Sequence, residues 1–160
     1  MPANSEISVL FVCLGNICRS PLAEGVFRHL VIARGMENRF RIESAGTGAW
    51  HVGEPPDDRS ADVARRHGVT LDGQLARRVR SSDFIEFDHL VAMDLENLRA
   101  LEGLRDETDG SAILSLLRDY DPEPGDGEVP DPYYGGPGGF DRVFEMIRRS
   151  AEALLDHLEA

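Results

Sequence analysis

A cysteine and an arginine six residues apart lie near the start of this chain, within residues 13–20 (sequence CLGNICRS). The segment follows a short apolar run and precedes a helical pattern, which predicts a strand-to-helix loop whose backbone N–H groups converge on an anion. The positive electrostatic potential of these N–H groups also stabilises the thiolate of Cys13 over its thiol, which makes the Cys13 sulfur a nucleophile. Arg19 can offer two parallel donors to phosphoryl oxygens, which a lysine cannot match. These residues indicate phosphate binding and nucleophilic attack by Cys13.

The alternative for Cys13 is a small buried hydrophobe at the end of a core strand. That interpretation leaves Gly15, Arg19 and Ser20 unexplained. The cysteine-to-arginine spacing alone is weak, but the following serine and the strand-loop-helix context make the signal strong. For the second cysteine, Cys18, we expect a packing role, and a reversible disulfide with Cys13 that prevents over-oxidation is a further hypothesis.

Strands and helices alternate along the rest of the chain. Short apolar and β-branched runs predict four strands, at residues 7–12, 40–44, 88–93 and 112–117. Apolar residues at helical spacing predict helices from Pro21 until Gly35, over 58–67, over 95–101 and over 140–158. The alternation predicts one α/β domain over residues 1–160, a three-layer sandwich with a central four-stranded parallel sheet flanked by helices. Ligands are expected at the carboxyl ends of its strands.

One long connection does not fit this alternation. Residues 119–139 contain five prolines and six glycines, with the sequence DPYY at 131–134. Connections of this length rarely lack a purpose, and adjacent tyrosines are unusual in a disordered linker. We predict a functional lid or wall here, and a solvated acidic linker is the alternative.

Composition excludes several classes of partner. The formal charge of −12 disfavours a nucleic-acid partner, because a polyanion would be repelled. The longest apolar run, residues 9–14, is too short to cross a bilayer, and no basic residue precedes Arg19, so we expect neither membrane anchor nor signal peptide. Two cysteines five residues apart do not suggest a disulfide scaffold, which favours a cytoplasmic location. No histidine has the spacing of a metal ligand, so no metal or cofactor is predicted.

The sequence resembles the low-molecular-weight protein tyrosine phosphatases. The resemblance covers nearly the whole chain and is carried by residues 13–24, 44–47, 93–94, 131–134 and the closing helix. It implies the fold of that family and metal-free hydrolysis of phosphotyrosine through a cysteinyl-phosphate intermediate. Cys13 would be the nucleophile, Arg19 the phosphate clamp, and Asp131 the general acid and then the general base. By composition alone Asp131 is one of nine acids between Asp106 and Asp131, and only its neighbours and the resemblance single it out.

The resemblance also implies roles around these three residues. The predicted phosphate-binding residues all belong to the cysteine loop: Leu14, Gly15, Asn16, Ile17, Cys18 and Ser20. Asn16 and Ser44 would hold the loop in its strained shape, with Asp94 as further support. The Ser20 hydroxyl would donate to the Cys13 sulfur, and a helix N-cap is its ordinary alternative.

Three loop aromatics, Trp50, Tyr133 and Tyr134, would form an aromatic pocket that holds a phenyl ring and disfavours the shorter phosphoserine. Core filling is the alternative for Trp50. Ile17 indicates tyrosine phosphate, because the branch of the family that resembles arginine phosphatases carries threonine there. The chain departs from many relatives at Gln74, where they have a histidine.

The implied partner is a tyrosine-phosphorylated protein, with a bacterial tyrosine kinase as one candidate. Two rival functions remain open at this stage. A thioredoxin-coupled arsenate reductase would need relay cysteines, and this chain has none after Cys18. A phosphotyrosine-binding module without activity is disfavoured because Cys13 and Asp131 are both present.

Overall fold

Four parallel strands form the centre of the molecule. The structure is a computed structural model that describes residues 6–106, 108, 110–132 and 138–159. The strands are β1 (Ile7–Cys13), β2 (Phe40–Gly46), β3 (His89–Ala92) and β4 (Ile113–Leu116). They lie in the order β2-β1-β3-β4, and every neighbouring pair is parallel. The predicted α/β fold with a four-stranded parallel sheet is therefore confirmed.

Helices cover both faces of the sheet. They are α1 (Arg19–Ala33), α2 (Asp58–Arg66), α3 (Asp83–Glu86), α4 (Leu95–Arg105) and α5 (Gly139–Glu159). Because successive side chains of a strand point to opposite faces, Val9 and Phe11 pack with α1, α2 and α5, whereas Leu10 and Val12 pack with α3 and α4. Burial on both faces explains why residues 9–13 of β1 are all apolar. No helix in the described ranges is both long and apolar enough to span a membrane.

Two helices differ from the sequence prediction by two or more residues at one end, and a third helix, α3, was not predicted. Helix α1 begins at Arg19, two residues before Pro21, because the first turn of a helix leaves its N–H groups without helical partners and so tolerates proline. Helix α4 continues beyond Leu101 to Arg105, and the partly buried Leu104 in this last turn still packs against the core. The turn also contains Gly103, a poor helix former, which obscures the helical pattern in the sequence. The four residues of α3 are too few to show a helical period.

The carboxyl edge of the sheet brings distant segments together. The last residue of β1, Cys13, lies beside Gly46 at the end of β2. Beyond β3, Met93 accepts a backbone hydrogen bond from Val129 at 2.8 Å. This bond draws the proline-rich connection to the same edge, as expected for a ligand site in a parallel sheet.

Candidate active site

Asn16 fixes the shape of the loop between β1 and α1. It has φ of 58° and is the single non-glycine residue with positive φ in the part of the chain that the structure describes. Asparagine tolerates this backbone region better than most residues. Its Nδ2 donates to Ser20 Oγ at 2.8 Å and to Ser44 Oγ at 3.0 Å, and its Oδ1 accepts from the backbone N–H of Arg77 at 3.0 Å. The side chain therefore joins the loop to α1, to β2 and to the segment that follows α2.

The Cys13 sulfur lies at the base of this loop with two polar neighbours. The backbone N–H of Asn16 donates to Sγ at 3.3 Å, and Ser20 Oγ lies 3.0 Å away. Ser20 Oγ accepts from Asn16, and its own proton has two acceptors within reach, the sulfur at 3.0 Å and the Ala45 carbonyl at the longer distance of 3.4 Å. Ser20 lies inside the first turn of α1, and the N-cap position belongs to Cys18, so the N-cap alternative for Ser20 is wrong.

Residues 46–48, at the end of β2 and just after it, support the loop. The backbone N–H groups of Thr47 and Gly48 donate to the carbonyls of Cys13 and Leu14, each at 2.9 Å. A Cβ atom at Gly46 would come within 2.7 Å of the Leu14 carbonyl oxygen, which explains why the chain uses glycine there.

The support extends into α1 through a residue that sequence analysis missed. Ser44 Oγ donates to Glu24 Oε1 at 2.7 Å, and Arg28 Nη1 donates to Glu24 Oε2 at 2.8 Å. Glu24 is buried. An acid four residues after Ser20, on the face of α1 that packs inward, was the available signal.

Arg19 is almost fully buried, with 2% of its surface exposed. Its Nη1 donates to Asp94 Oδ2 at 2.7 Å and to the Val129 carbonyl at 2.9 Å. Its Nη2 lies 3.8 Å from Asp131 Oδ2. Burial opposes its charge, but the negative charges of Cys13, Asp94 and Asp131 outweigh this effect and raise the pKa of Arg19 above its ordinary value. The guanidinium is thus held charged and in one orientation.

Asp94 binds two different elements with its two oxygens. Oδ2 accepts from Arg19, and Oδ1 accepts from the backbone N–H of Asn97 at 2.7 Å, so Asp94 is the N-cap of α4. The orientation of the arginine therefore depends on where α4 begins.

A cavity of about 410 Å³ opens above the loop. Its lining includes most of the predicted site residues together with one further histidine: Cys13, Leu14, Gly15, Ile17, Cys18, Arg19, Trp50, His51 and Asp131.

Burial is the main cause that raises the pKa of the Cys18 thiol to about 12, and the negative charges of Asp57, Cys13 and Asp131 add to it. Cys18 therefore stays a thiol near neutral pH.

Trp50 stands at the mouth of the cavity rather than in the core. It is 71% exposed, so the core-filling alternative is wrong. A Cβ atom at Gly48 would collide with its indole ring, so glycine at that position makes room for the ring. His51, which sequence analysis did not single out, lines the same cavity, and its Nδ1 lies 3.0 Å from Glu54 Oε1. Its signal in the sequence was adjacency to Trp50.

Two of the predicted site residues, Tyr133 and Tyr134, lie outside the described residues. Gln74 Nε2 donates to the Pro21 carbonyl at 3.0 Å, so this side chain braces the first turn of α1. Within the described ranges, no cluster of three or more histidine, cysteine, aspartate or glutamate side chains could hold a metal ion.

A buried thiol beneath backbone amides, a fixed guanidinium and a facing carboxyl are the groups that a cysteine-dependent phosphatase uses. Comparison with known proteins agrees with this class. The family model described as low molecular weight phosphotyrosine protein phosphatase matches residues 8–160. The chain belongs to this family and is an enzyme of the hydrolase class, which confirms the resemblance seen in the sequence.

Individual relatives span nearly the full chain. The low molecular weight protein-tyrosine-phosphatase YfkJ of Bacillus subtilis is 44% identical over 96% of each chain, and the low molecular weight phosphotyrosine protein phosphatase of Homo sapiens is 41% identical over 98% of each. The crystal structure of YfkJ superposes with a TM-score of 0.90 at 43% identity, covering 97% of this chain and 96% of YfkJ. A Drosophila arginine phosphatase also gives a TM-score of 0.90, at 35% identity, covering 95% of this chain and 98% of its own.

Proposed function

We propose that this chain hydrolyses phosphotyrosine in proteins through a cysteinyl-phosphate intermediate. The observation that carries the proposal is the convergence of Cys13, Arg19 and Asp131 on one cavity of about 410 Å³. A thiolate, a fixed cation and a carboxyl are the three groups that cleavage of a phosphate monoester requires in the absence of a metal.

In the first step, the Cys13 thiolate attacks phosphorus in line with the leaving oxygen. The S–P bond forms while the P–O bond to the phenol breaks, and Asp131 gives its proton to the departing oxygen. Arg19 and the loop amides bind the three non-bridging oxygens, where negative charge is concentrated. The products of this step are a free phenol and the cysteinyl-phosphate.

In the second step, water attacks the cysteinyl-phosphate. Asp131, now ionised, takes a proton from the water, a P–O bond forms and the S–P bond breaks. Sulfur leaves as a thiolate, and the Ser20 hydroxyl at 3.0 Å donates a hydrogen bond to it. Inorganic phosphate is released and the starting charges are restored.

The apolar side chains at the cavity support selectivity for an aryl ester. Leu14, Ile17 and Trp50 surround its opening, and a phenyl ring can contact them while its phosphate reaches the loop. Tyr133 and Tyr134 belong to the same proposed aromatic pocket. Ile17 favours phosphotyrosine over phosphoarginine, and a test on phosphoarginine is warranted because one structural relative is named an arginine phosphatase.

The proposed partner is a tyrosine-phosphorylated protein, with a bacterial tyrosine kinase as one candidate. The proposed location is the cytoplasm, since an activated thiolate beside a second free cysteine needs a reducing compartment. Residues 1–160 are proposed to act as one catalytic domain.

The test compares peptides carrying phosphotyrosine, phosphoserine or phosphoarginine. Phosphotyrosine should be hydrolysed with the highest kcat/KM, and Cys13→Ser should abolish turnover. Arg19→Lys should lower kcat/KM by about 100-fold because one point donor replaces a two-pronged fork. Arg148→Lys, the same change at an exposed arginine of α5, is the matched control and should leave activity unchanged. Preferred hydrolysis of phosphoarginine, or turnover by Cys13→Ser, would overturn the proposal.

A further inference from the structure

Arg118 is a buried arginine outside the cavity, in the 3-10 turn Leu117–Tyr120 that follows β4. It is 4% exposed. Nη1 and Nη2 both donate into residues 121–132, a segment that we call the acid loop because it contains the candidate general acid, and Nη1 also donates to Met146 Sδ of α5 at 3.1 Å. Nη1 donates to the Glu128 carbonyl at 2.6 Å, and Nη2 donates to the Glu123 carbonyl at 2.9 Å. One guanidinium therefore holds two carbonyls that are five residues apart in the acid loop.

Asp121, at the start of the acid loop, forms ion pairs with Arg118 and with Arg149 of α5. Its Oδ2 lies 2.8 Å from Arg118 Nε, and Arg149 donates to Oδ1 and Oδ2 at 2.7 and 3.0 Å. Burial opposes its ionisation, but hydrogen bonds from Arg149, from the Glu123 backbone and from Ser150 lower its pKa to about 2. The buried guanidinium is thus paired with a carboxylate that stays ionised, which a buried charge requires.

The far end of the acid loop is held by the phosphate-binding arginine. Arg118 binds the Glu128 carbonyl, and Arg19 binds the next carbonyl along the chain, that of Val129, at 2.9 Å. The Glu128 carboxylate also accepts from the backbone N–H of Leu95 at 2.8 Å, beside the N-cap of α4. Two arginines from different elements therefore hold consecutive carbonyls, three and two residues before Asp131.

We propose that Arg118 is a positioning residue that holds Asp131 where it can protonate the leaving oxygen. The inference rests on the proposed function, because it gives Asp131 the role of general acid. Arg118 touches no substrate and acts through the backbone of the acid loop. If Arg118 is replaced, two half-buried carbonyls lose the donors that hold them at fixed positions, and the acid loop becomes free to shift. A shift of about 1 Å at a reacting group can cost about 100-fold in rate.

The leaving group provides a readout that a merely structural role would not move. Phenyl phosphate needs a proton on its departing oxygen, whereas 2,4-dinitrophenolate is stable enough to leave without one. The ratio of kcat/KM for these two substrates therefore measures the general acid alone, because kcat/KM covers the steps up to P–O cleavage. Arg118→Met should lower kcat/KM for phenyl phosphate by about 10–100-fold, but for 2,4-dinitrophenyl phosphate by less than about 3-fold.

Two further variants make the result interpretable. Asp131→Asn must show the same substrate dependence in a larger form, and if it does not, the proposed role of Asp131 fails. If Asp131→Asn shows it and folded Arg118→Met loses activity equally on both substrates, or loses none, the inference about Arg118 is overturned. Arg148→Met, an exposed arginine on α5, is the matched control and should change neither rate.

A fold-preserving variant covers the case in which Arg118→Met does not fold. Arg118→Lys keeps a buried positive charge beside Asp121 but cannot bind a carboxylate and two carbonyls with one planar group. We expect the same selective loss on phenyl phosphate in this variant, with a cooperative melting transition. An unchanged substrate ratio in folded Arg118→Lys would overturn the inference.

Discussion

Replacing Asn16 by alanine removes the amide that holds the phosphate loop in shape. The wild-type amide makes hydrogen bonds to Ser20, to Ser44 and to the backbone of Arg77. A net contribution of about 0.5–1.5 kcal/mol per bond gives roughly 1.5–4.5 kcal/mol for the three. Alanine keeps the Cβ atom that asparagine already places at this φ of 58°, so the steric strain of the backbone is unchanged by the substitution. The expected loss is roughly 1.5–4.5 kcal/mol.

This loss has two measurable consequences. For a chain of this size, about 2–4 °C per kcal/mol predicts a fall in Tm of roughly 3–18 °C by circular dichroism. Because the bonds determine where the loop amides and the Cys13 sulfur lie, kcat/KM on p-nitrophenyl phosphate should fall by about 100-fold.

Two control variants test the individual contributions. Asn16→Gly loses the same hydrogen bonds but tolerates the positive φ, so it should be about 1 kcal/mol more stable than Asn16→Ala. Asn38→Ala changes an exposed asparagine in the 3-10 turn Glu37–Arg39 and should affect neither quantity. If Asn16→Ala melts at the wild-type temperature and keeps wild-type activity, the reasoning about this amide is refuted.

Three further predictions follow from single contacts and charges. The pKa of Asp121 lies at about 2 in the folded protein, below its ordinary value of 3.8. Its contribution to stability is therefore present above pH 4 and is lost as pH falls towards 2. Between these pH values the free energy of unfolding, measured by denaturant titration, should fall less steeply with decreasing pH in Asp121→Asn than in the wild type. Gly48→Ala drives a methyl group into the indole of Trp50, which should then move from the mouth of the cavity. KM for aryl phosphates should rise by about 3–10-fold with little change in kcat. An unchanged KM would contradict the proposed contact between Trp50 and the aryl ring. Because the pKa of Cys18 is about 12, this thiol should not react with iodoacetamide at pH 8 in the folded chain. Mass spectrometry should therefore count one label per folded chain and two after unfolding. Two labels on the folded chain would refute the inference that Cys18 stays a thiol.

The strand, loop and helix that carry Cys13 could be predicted because their determinants are local. A continuous apolar run indicates a strand buried on both faces, and the apolar spacing after Pro21 indicates a helix. The true start of α1 depends on backbone hydrogen bonds, which leave no apolar period in the sequence. The last turn of α4 keeps its apolar spacing at Leu104, but Gly103 obscures the helical pattern there.

The support residues show where local patterns stop being informative. Glu24 and His51 have neighbours that sequence spacing does not reveal, since Glu24 of α1 contacts Ser44 of β2 and His51 lines the cavity from a loop. Arg118 is one of 17 basic residues, all of them arginines, and nothing in its local sequence separates it from those on the surface. Burial decides which arginine matters, and burial is a property of the folded chain.

The sequence by itself determined the parallel α/β class, the cysteine loop and the chemistry that its residue types permit, because each depends on neighbours within a few residues. Only the tertiary structure decided how Arg19 is oriented, since its partners Asp94 and Val129 lie 75 and 110 residues away. It also decided that the acid loop is held by Arg118. Such contacts form only when β3, α4 and the acid loop meet at one edge of the sheet, and no spacing along the chain encodes that meeting.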